Sequence, residues 1–416
     1  MSAAETIRRI RPWAEDLGVT RLADITGLDR LGLPTYSAVV PDSRDIISVY
    51  NGKGLRRVDA QAGALMEAVE RQSALRCRPP WVTDSYSNRA AAGDTLDVRR
   101  LAVRLRPDYS DDALGEWVVG HRVADGSPVM VPAGVAGYLW TDLPHTSPVG
   151  WASSNGLASG NCLEEAVAHA LCELIERDAW TLAELASQWL PRALRVRALG
   201  KLGQAGPDDM ERYATLDITT APPVTRAIAE RFHRAGLPLR VRHITSDLGI
   251  PTFVAVTAEW VFPAFPQAHF GLGTHPNAEV ALVRALVEVA QSRAVDIQAV
   301  REDIVLAGDT ETQGAIHTRR AATVDTSSWL HNDSSRPVAF SAIPTHLSTD
   351  VLDDIRFMMQ QLRAHGLTEV IVVDLTPTGA PFSVVRVVVP GLESWGADHG
   401  KIGERATTFW CHEQLR

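Results

Sequence analysis

Leu171-Cys-Glu-Leu-Ile-Glu-Arg-Asp178 sets two glutamates three residues apart on an otherwise largely apolar stretch. Residues at that separation share one face of a helix. Ala64-Leu-Met-Glu-Ala-Val-Glu-Arg71 carries the same pair earlier in the chain. Arg284-Ala-Leu-Val-Glu-Val-Ala-Gln-Ser-Arg293 carries it a third time, as Glu288 and Gln291. Glutamates among Ala, Leu, Val and Ile need partners, because burying an unpaired carboxylate is costly. Three such faces brought together make one acidic pocket. Hard cations holding the phosphates of a nucleotide suit it.

The middle segment extends this pattern. Asn161, Glu165, His169, Glu173 and Glu176 fall three or four residues apart and form one polar stripe, opposite Val167, Leu171, Leu174 and Ile175. Like charges along a stripe repel, and cations relieve the repulsion. The competing reading is a solvated acidic face. Arg71, Arg177 and Arg293 pair with these glutamates or contact phosphate oxygens, which suits the guanidinium fork. Gly52-Lys53-Gly54 is a plain turn or a backbone loop that approaches a phosphate with Lys53 supplying charge. His169 and His275 read first as structural. Arg386 lies among valines in Val384-Val-Arg-Val-Val-Val, which points to a partner, a pocket or an exposed sheet face.

Working outward, residues 3–17 read as a short helix. Tyr36 to Tyr50 is strand-like and broken at Pro41-Asp42-Ser43. Asp59 is the expected N-cap of a helix running to Arg76. Trp117-Val-Val and Val129-Met-Val read as a hairpin around Asp125-Gly126. Ser153–Gly160 reads as a loop into the second helix, with Asn161 as N-cap and Glu164 completing a capping box. Residues 191–222 read as surface structure with one short helix. A helix over 225–235 and strands at 239–244 and 251–261 follow. Gly271-Leu-Gly-Thr-His-Pro276 leads to the third helix, capped by Asn277. Residues 309–336 read as a polar loop or lid, 355–365 as a helix, and 371–375 and 383–389 as strands. Hairpins mixed with helices, rather than alternating βαβα units, predict an α+β fold with sheets largely antiparallel.

The 416 residues suffice for one large unit with subdomains. A net charge of −9 disfavours a nucleic-acid partner. The apolar run 250–270 contains Glu259 and three prolines, so no membrane span is expected. The four cysteines form no C-x-x-C pair, and free thiols fit a cytoplasmic protein. Walker A, G-x-G-x-x-G and H-E-x-x-H motifs are absent from the sequence.

Together, these segments resemble the YcaO family. The resemblance is carried by Asn51-Gly-Lys-Gly54, the two E-x-x-E-R stretches, Ser159-Gly-Asn-Cys-Leu-Glu-Glu-Ala166, the Arg284–Arg293 segment, Arg301-Glu-Asp303 and Val387-Val-Val-Pro-Gly-Leu-Glu393. It implies a YcaO-like fold whose helices line a central ATP and Mg²⁺ site, and an enzyme that activates backbone amides of peptides or proteins with ATP. By this resemblance Glu67, Glu70, Glu165, Glu173 and Glu176 hold Mg²⁺ and phosphate. Asn161, Arg177, Gln291 and Arg293 contact the nucleotide, with Lys53 and Arg386 as further contacts. Glu173, Glu176 and Arg177 form the catalytic set. Residues 1–40 are expected as an N-terminal extension too short for a winged-helix leader-binding domain, 41–400 as the YcaO domain and 401–416 as a tail. No proline follows Pro390, unlike the Pro-rich tail of azoline-forming members. The run from Gly32 to Gly54 resembles members that work with a TfuA-type partner in thioamide formation. The alternatives are an azoline- or amidine-forming enzyme and a non-catalytic nucleotide-binding subunit. A homodimer is implied by resemblance alone.

Overall fold

In this computed structural model, which describes residues 1–145, 153–189, 213–262, 265–299, 329–398 and 401–414, each segment read above as a long helix is helical. The helices that position the site are α1 (Ala3–Asp16), α2 (Arg57–Arg76), α3 (Leu163–Glu184), α4 (Pro223–Arg234), α5 (Ala278–Ala299), α6 (Val351–Ala364) and α7 (Glu404–Gln414). The strands of the first half are β1 (Arg21–Asp24), β2 (Thr35–Val39), β3 (Val49–Lys53), β4 (Trp81–Ser85), β5 (Leu114–Arg122), β6 (Pro128–Pro132) and β7 (Leu157–Gly160). Those of the second half are β8 (Leu216–Asp217), β9 (Leu239–His243), β10 (Thr252–Phe262), β11 (Phe265–Thr274), β12 (Val338–Ala339), β13 (Ile371–Asp374) and β14 (Ser383–Val388).

Three sheets carry the helices. One runs β1-β2-β3, one runs β11-β10-β9, and a six-stranded sheet runs β4-β5-β13-β14-β7 with β6 on β5. All pairings in them are antiparallel, and the short β8–β12 pair is parallel. The expected α+β architecture is therefore the observed one. The β5–β6 hairpin turns at Gly126, whose φ of 71° is the left-handed conformation that glycine adopts without penalty.

Two strand–helix contacts are close enough to require glycine. A Cβ on Gly52 in β3 would lie 2.1 Å from both Ala60 O and Ala64 N of α2. A Cβ on Gly273 in β11 would lie 2.1 Å from Ala281 O and 2.5 Å from Ala285 N of α5. Gly52-Lys53 is thus the end of a strand laid on a helix, not the free turn that the two glycines suggest.

Local chemistry shifted several expected boundaries. Asp59 sits inside α2 and accepts the backbone N–H of Arg56 at 3.2 Å, so Arg56 takes the cap position. Cys162, not Asn161, is the cap residue of α3. Glu165 rather than Glu164 reaches back, accepting the Asn161 N–H at 2.9 Å and its side-chain amide at 2.7 Å. Leu157–Gly160, read as loop, pairs with β14, because Arg386 and its neighbours present a free ladder edge there. Gly271–Thr274 belongs to β11. Asn277 does cap α5, accepting from Glu279 N at 2.9 Å. Residues 309–328 of the polar run and 191–212 of the surface segment lie outside the described residues.

Residues 1–40 do not form a separate extension. Ile10, Ala14, Leu65 and Val69 share one buried cluster, and β1 and β2 belong to the same sheet as β3. Burial of those side chains gives α1 a stable seat that its length alone would not. The 401–416 segment likewise contains α7, whose Arg405 grips buried Asp178 at 2.8–3.0 Å and Asp247 at 2.6 Å.

Candidate functional site

Helices α2, α3 and α5 each turn their polar pair into one cleft of about 1060 Å³. A shared device sets the first glutamate of each pair. Glu67 accepts the N–H of Asn51 at 3.1 Å, Glu173 that of Gly156 at 3.4 Å, and Glu288 that of Leu272 at 3.3 Å. In each case the donor lies on or beside the strand that precedes the helix. That bond fixes the glutamate's rotamer; the second oxygen of Glu288 pairs with Lys53, and that of Glu173 faces Arg177.

Glu70 accepts from Ser159 Oγ at 3.0 Å, which ties α2 to β7. Arg177 stands 3.6 Å from Glu173, and Lys53 forms an ion pair across the cleft with Glu288. Gln291 donates to the carbonyl of Asn51 at 2.8 Å. Asn161 accepts from Thr6 Oγ1 at 2.9 Å and holds Glu165.

The electrostatics show a site short of positive charge. Burial, reinforced by Glu67 and Glu173, pushes Glu70 up to about 8. Burial also raises Glu67, against the pull of Arg71 and Lys53. Glu176 is pushed up to about 7 by burial, opposed by Arg177 and reinforced by Glu288 and Glu173. Glu288 is the exception: burial acts to raise it, but Lys53 and Arg177 outweigh that and hold it below the ordinary value. His169 is pushed down to about 3 by burial, then by Arg284 and Lys53, so it is a neutral imidazole.

The donor set is oxygen, as a hard cation requires. Among the described residues no three carboxylates, imidazoles or thiols form a ready cage. Mg²⁺ is usually held by one or two carboxylates that share the ion with waters and substrate phosphates. Glu70 and Glu176, whose carboxyls are pushed up by burial and then by neighbouring carboxylates, fit the group.

Nine of the eleven residues predicted for the site line this cleft: Lys53, Glu67, Glu70, Asn161, Glu165, Glu173, Glu176, Arg177 and Gln291. Arg293 and Arg386 do not. Arg293 is buried and holds Asp29 through two bonds of 3.0 Å and Glu259 through one of 2.7 Å. Its i+2 position after Gln291 points it away from the polar face, because residues two apart do not share a side of a helix. Arg386 spends its guanidinium on main-chain carbonyls, reaching Ser153 at 2.9 Å, Asn155 at 2.7 Å and Gly137 at 3.1 Å. It braces the segments beside the cleft. Glu288, named in the repeat but given no ligand role, lines the cleft as well, and so do Arg284 and Asp354, which sequence reasoning did not single out. Glu288 matches Glu67 and Glu173 in its own pair, so the repeat itself carried the signal.

The family model for YcaO cyclodehydratases, described as ATP- and Mg²⁺-binding, matches residues 51–393. The chain belongs to the YcaO family, and ATP and Mg²⁺ are the cofactors of that family. An uncharacterized protein in the tfuA 3′ region of Rhizobium leguminosarum bv. trifolii is 34% identical over 403 residues, 94% of this chain and 88% of its own length. The structure of YcaO from Methanopyrus kandleri, bound with AMPPCP and Mg²⁺, superposes with a TM-score of 0.68 at 23% identity, over 97% of this chain and 95% of that one. A heterocyclase in complex with substrate and cofactor matches 94% of this chain with a TM-score of 0.72 at 22% identity. The chain spans about half of that heterocyclase, 52% of its length. Among the described residues no helix is long and apolar enough to cross a membrane.

Proposed function

We propose that this protein activates a backbone amide of a peptide or protein with Mg²⁺ and ATP, and that sulfur delivered with a TfuA-like partner replaces the amide oxygen to give a thioamide. The convergence of Glu67, Glu70, Glu165, Glu173, Glu176 and Glu288 on one cleft beside Lys53 and Arg177 supports the phosphate-handling part. The relative from the tfuA 3′ region supports the choice of sulfur.

When bound, Mg²⁺–ATP would supply the phosphoryl group that leaves with the amide oxygen as phosphate, after sulfide has added to the carbonyl carbon. The glutamates would hold the cations. Arg177 and Lys53 present fixed positive charge to phosphate oxygens, and such preorganised charge is the main catalytic lever in phosphoryl transfer. Asn161 and Gln291 contact the nucleotide. Glu173, Glu176 and Arg177, in adjacent turns of one helix, carry the catalytic load. The proposed setting is the cytoplasm, where Cys77, Cys162 and Cys172 stay as free thiols. A homodimer is part of the same reading.

A second reading keeps the ATP site and changes the nucleophile. A neighbouring side chain would then give an azoline, or an amine an amidine, and the family's cyclodehydratase description favours that class. The test is the intact mass of a peptide encoded beside this gene, incubated with the protein, ATP, Mg²⁺, sulfide and a TfuA-like partner. A gain equal to exchange of oxygen for sulfur supports thioamide formation. Loss of one water moves the assignment to the second reading. Nucleotide binding with no mass change leaves a non-catalytic subunit.

A further inference from the structure

The same cleft has a second, chemically different end. His275 lies just before α5, and Asp354 lies in the first turn of α6. Both line the cleft. The start of α5 is roughly 15 Å along the helix axis from Glu288. His275 Nδ1 accepts the N–H of Asn277 at 3.0 Å, so the ring carries its proton on Nε2. Burial, then the charge of Arg284, pushes its pKa down to about 4, so the ring is a neutral donor at physiological pH.

That Nε2 stands 3.9 Å from Asp354 Oδ2, beyond hydrogen-bond range. Asp354 Oδ1 is buried and has no hydrogen-bond partner among the described residues. An unpaired buried carboxylate oxygen is costly unless a ligand completes it. A donor and an acceptor therefore stand side by side on one wall. The pair offers one acceptor and one neutral donor. It matches an extended peptide residue, which presents its N–H and C=O along the same edge.

The rim adds an independent observation. Thr345 Oγ1 accepts from Ala278 N at 3.0 Å, and His346 N donates to Pro276 O at 2.9 Å, which brings the 345–350 segment to the start of α5. Two large apolar side chains stand exposed close to these contacts in the chain: Val280 at 37%, one turn before the cleft-lining Arg284 on α5, and Leu347 at 74%, next to His346. Exposed apolar side chains beside a polar cleft suit a partner with apolar groups of its own.

We propose that His275 and Asp354 bind the main chain of one extended residue of the peptide substrate, His275 donating to its C=O and Asp354 accepting its N–H. Val280 and Leu347 receive neighbouring side chains. This rests on the peptide-activating reading above. An adenine edge offers the same donor–acceptor chemistry, and the test separates the two.

The full-length protein, saturated with Mg²⁺ and a non-hydrolysable ATP analogue, is offered a library of N-acetylated, C-amidated heptapeptides. The wild type is expected to retain a subset. Asp354→Ala and His275→Ala should each bind those peptides about tenfold or more weakly, as loss of a hydrogen bond to a charged or buried group requires, with nucleotide affinity unchanged. N-methylation of one peptide amide should weaken binding to the wild type and have no further effect on Asp354→Ala. A general loss of structure would not give that pattern. Retention of no peptide by the wild type, unchanged affinity in both variants, or a fall in ATP affinity or in preference for ATP over GTP overturns the proposal. Calorimetry of Mg²⁺–ATP with the wild type alone reports separately on the reading beneath it.

Discussion

Gln291 Nε2 donates to the carbonyl oxygen of Asn51 at 2.8 Å, joining residues 240 apart in the chain. The N–H of the same Asn51 donates to Glu67. One strand residue thus links the glutamate pair of α2 to the pair of α5. Lys53, two residues on, closes the same gap with its ion pair to Glu288. The edge of β3 therefore sets the width of the cleft.

Removing charge from α3 should stop the chemistry while sparing the fold. Glu173→Gln and Glu176→Gln are each expected to lower peptide-dependent ATP turnover by about a hundredfold or more, the scale seen when one preorganised electrostatic group is lost. Both variants should keep the wild-type circular dichroism spectrum. Turnover within a factor of a few of wild type would remove these residues from the catalytic set.

Cation binding should release protons. Glu70 at about 8 and Glu176 at about 7 both lie above the ordinary glutamate value of 4.5. The folded, ligand-free protein then holds protons that the unfolded chain has released, so its stability falls as pH rises from about 4.5 to about 8. Mg²⁺–ATP requires the ionised carboxylates, so its affinity should rise across the upper part of that window. Titration calorimetry near neutral pH, in buffers of different ionisation enthalpy, should give buffer-dependent heats. Identical heats would mean that these glutamates do not ionise on binding.

Arg293 should behave as a structural residue. Arg293→Met leaves Asp29, itself 7% exposed, without its partner. Breaking one side of a buried ion pair costs about 3–5 kcal/mol. Chemical denaturation should show that loss, with Mg²⁺–ATP affinity of the folded fraction unchanged. Affinity lost without stability lost would return Arg293 to the nucleotide site.

Gly52→Ala tests the strand–helix contact. The added methyl would lie 2.1 Å from two backbone atoms of α2, neither of which can rotate aside. Overpacking of this kind costs about 1–3 kcal/mol or more. The expected result is a lower melting temperature together with weaker nucleotide binding, because β3 carries Asn51 and Lys53. An unchanged melting temperature would show that β3 is free to shift.

Much of the site could be read from spacing. The repeated pair at i and i+3 located α2, α3 and α5, since a 3.6-residue period is a local property of the chain. It also supplied Glu67, Glu70, Glu173, Glu176 and Gln291 from segments far apart in sequence; the polar stripe added Asn161 and Glu165, and the family resemblance gave Lys53 and Arg177 their place. Capping was read less well: the bonds at Asp59 and Glu165 are real, but Asp59 sits three positions inside the helix it was expected to cap, and Glu165 one position past the expected Glu164. Such boundaries depend on where the preceding strand delivers the chain. Leu157–Gly160 became a strand only because β14 offered it a ladder edge.

Arg386 and Arg293 mark the limit of local reading. Each lies in a segment whose pattern is correct, yet what a guanidinium meets depends on chain packed from elsewhere: Gly137, Ser153 and Asn155 for one, Asp29 and Glu259 for the other. Periodicity told which residues share a helix face, and so that three acidic faces existed. Only the packed sheets decided that those faces meet in one cleft and that two arginines brace the site from outside it. Backbone periodicity is set by neighbours a few residues away, whereas burial and charge pairing are set by contacts between distant segments that exist only once the chain has folded.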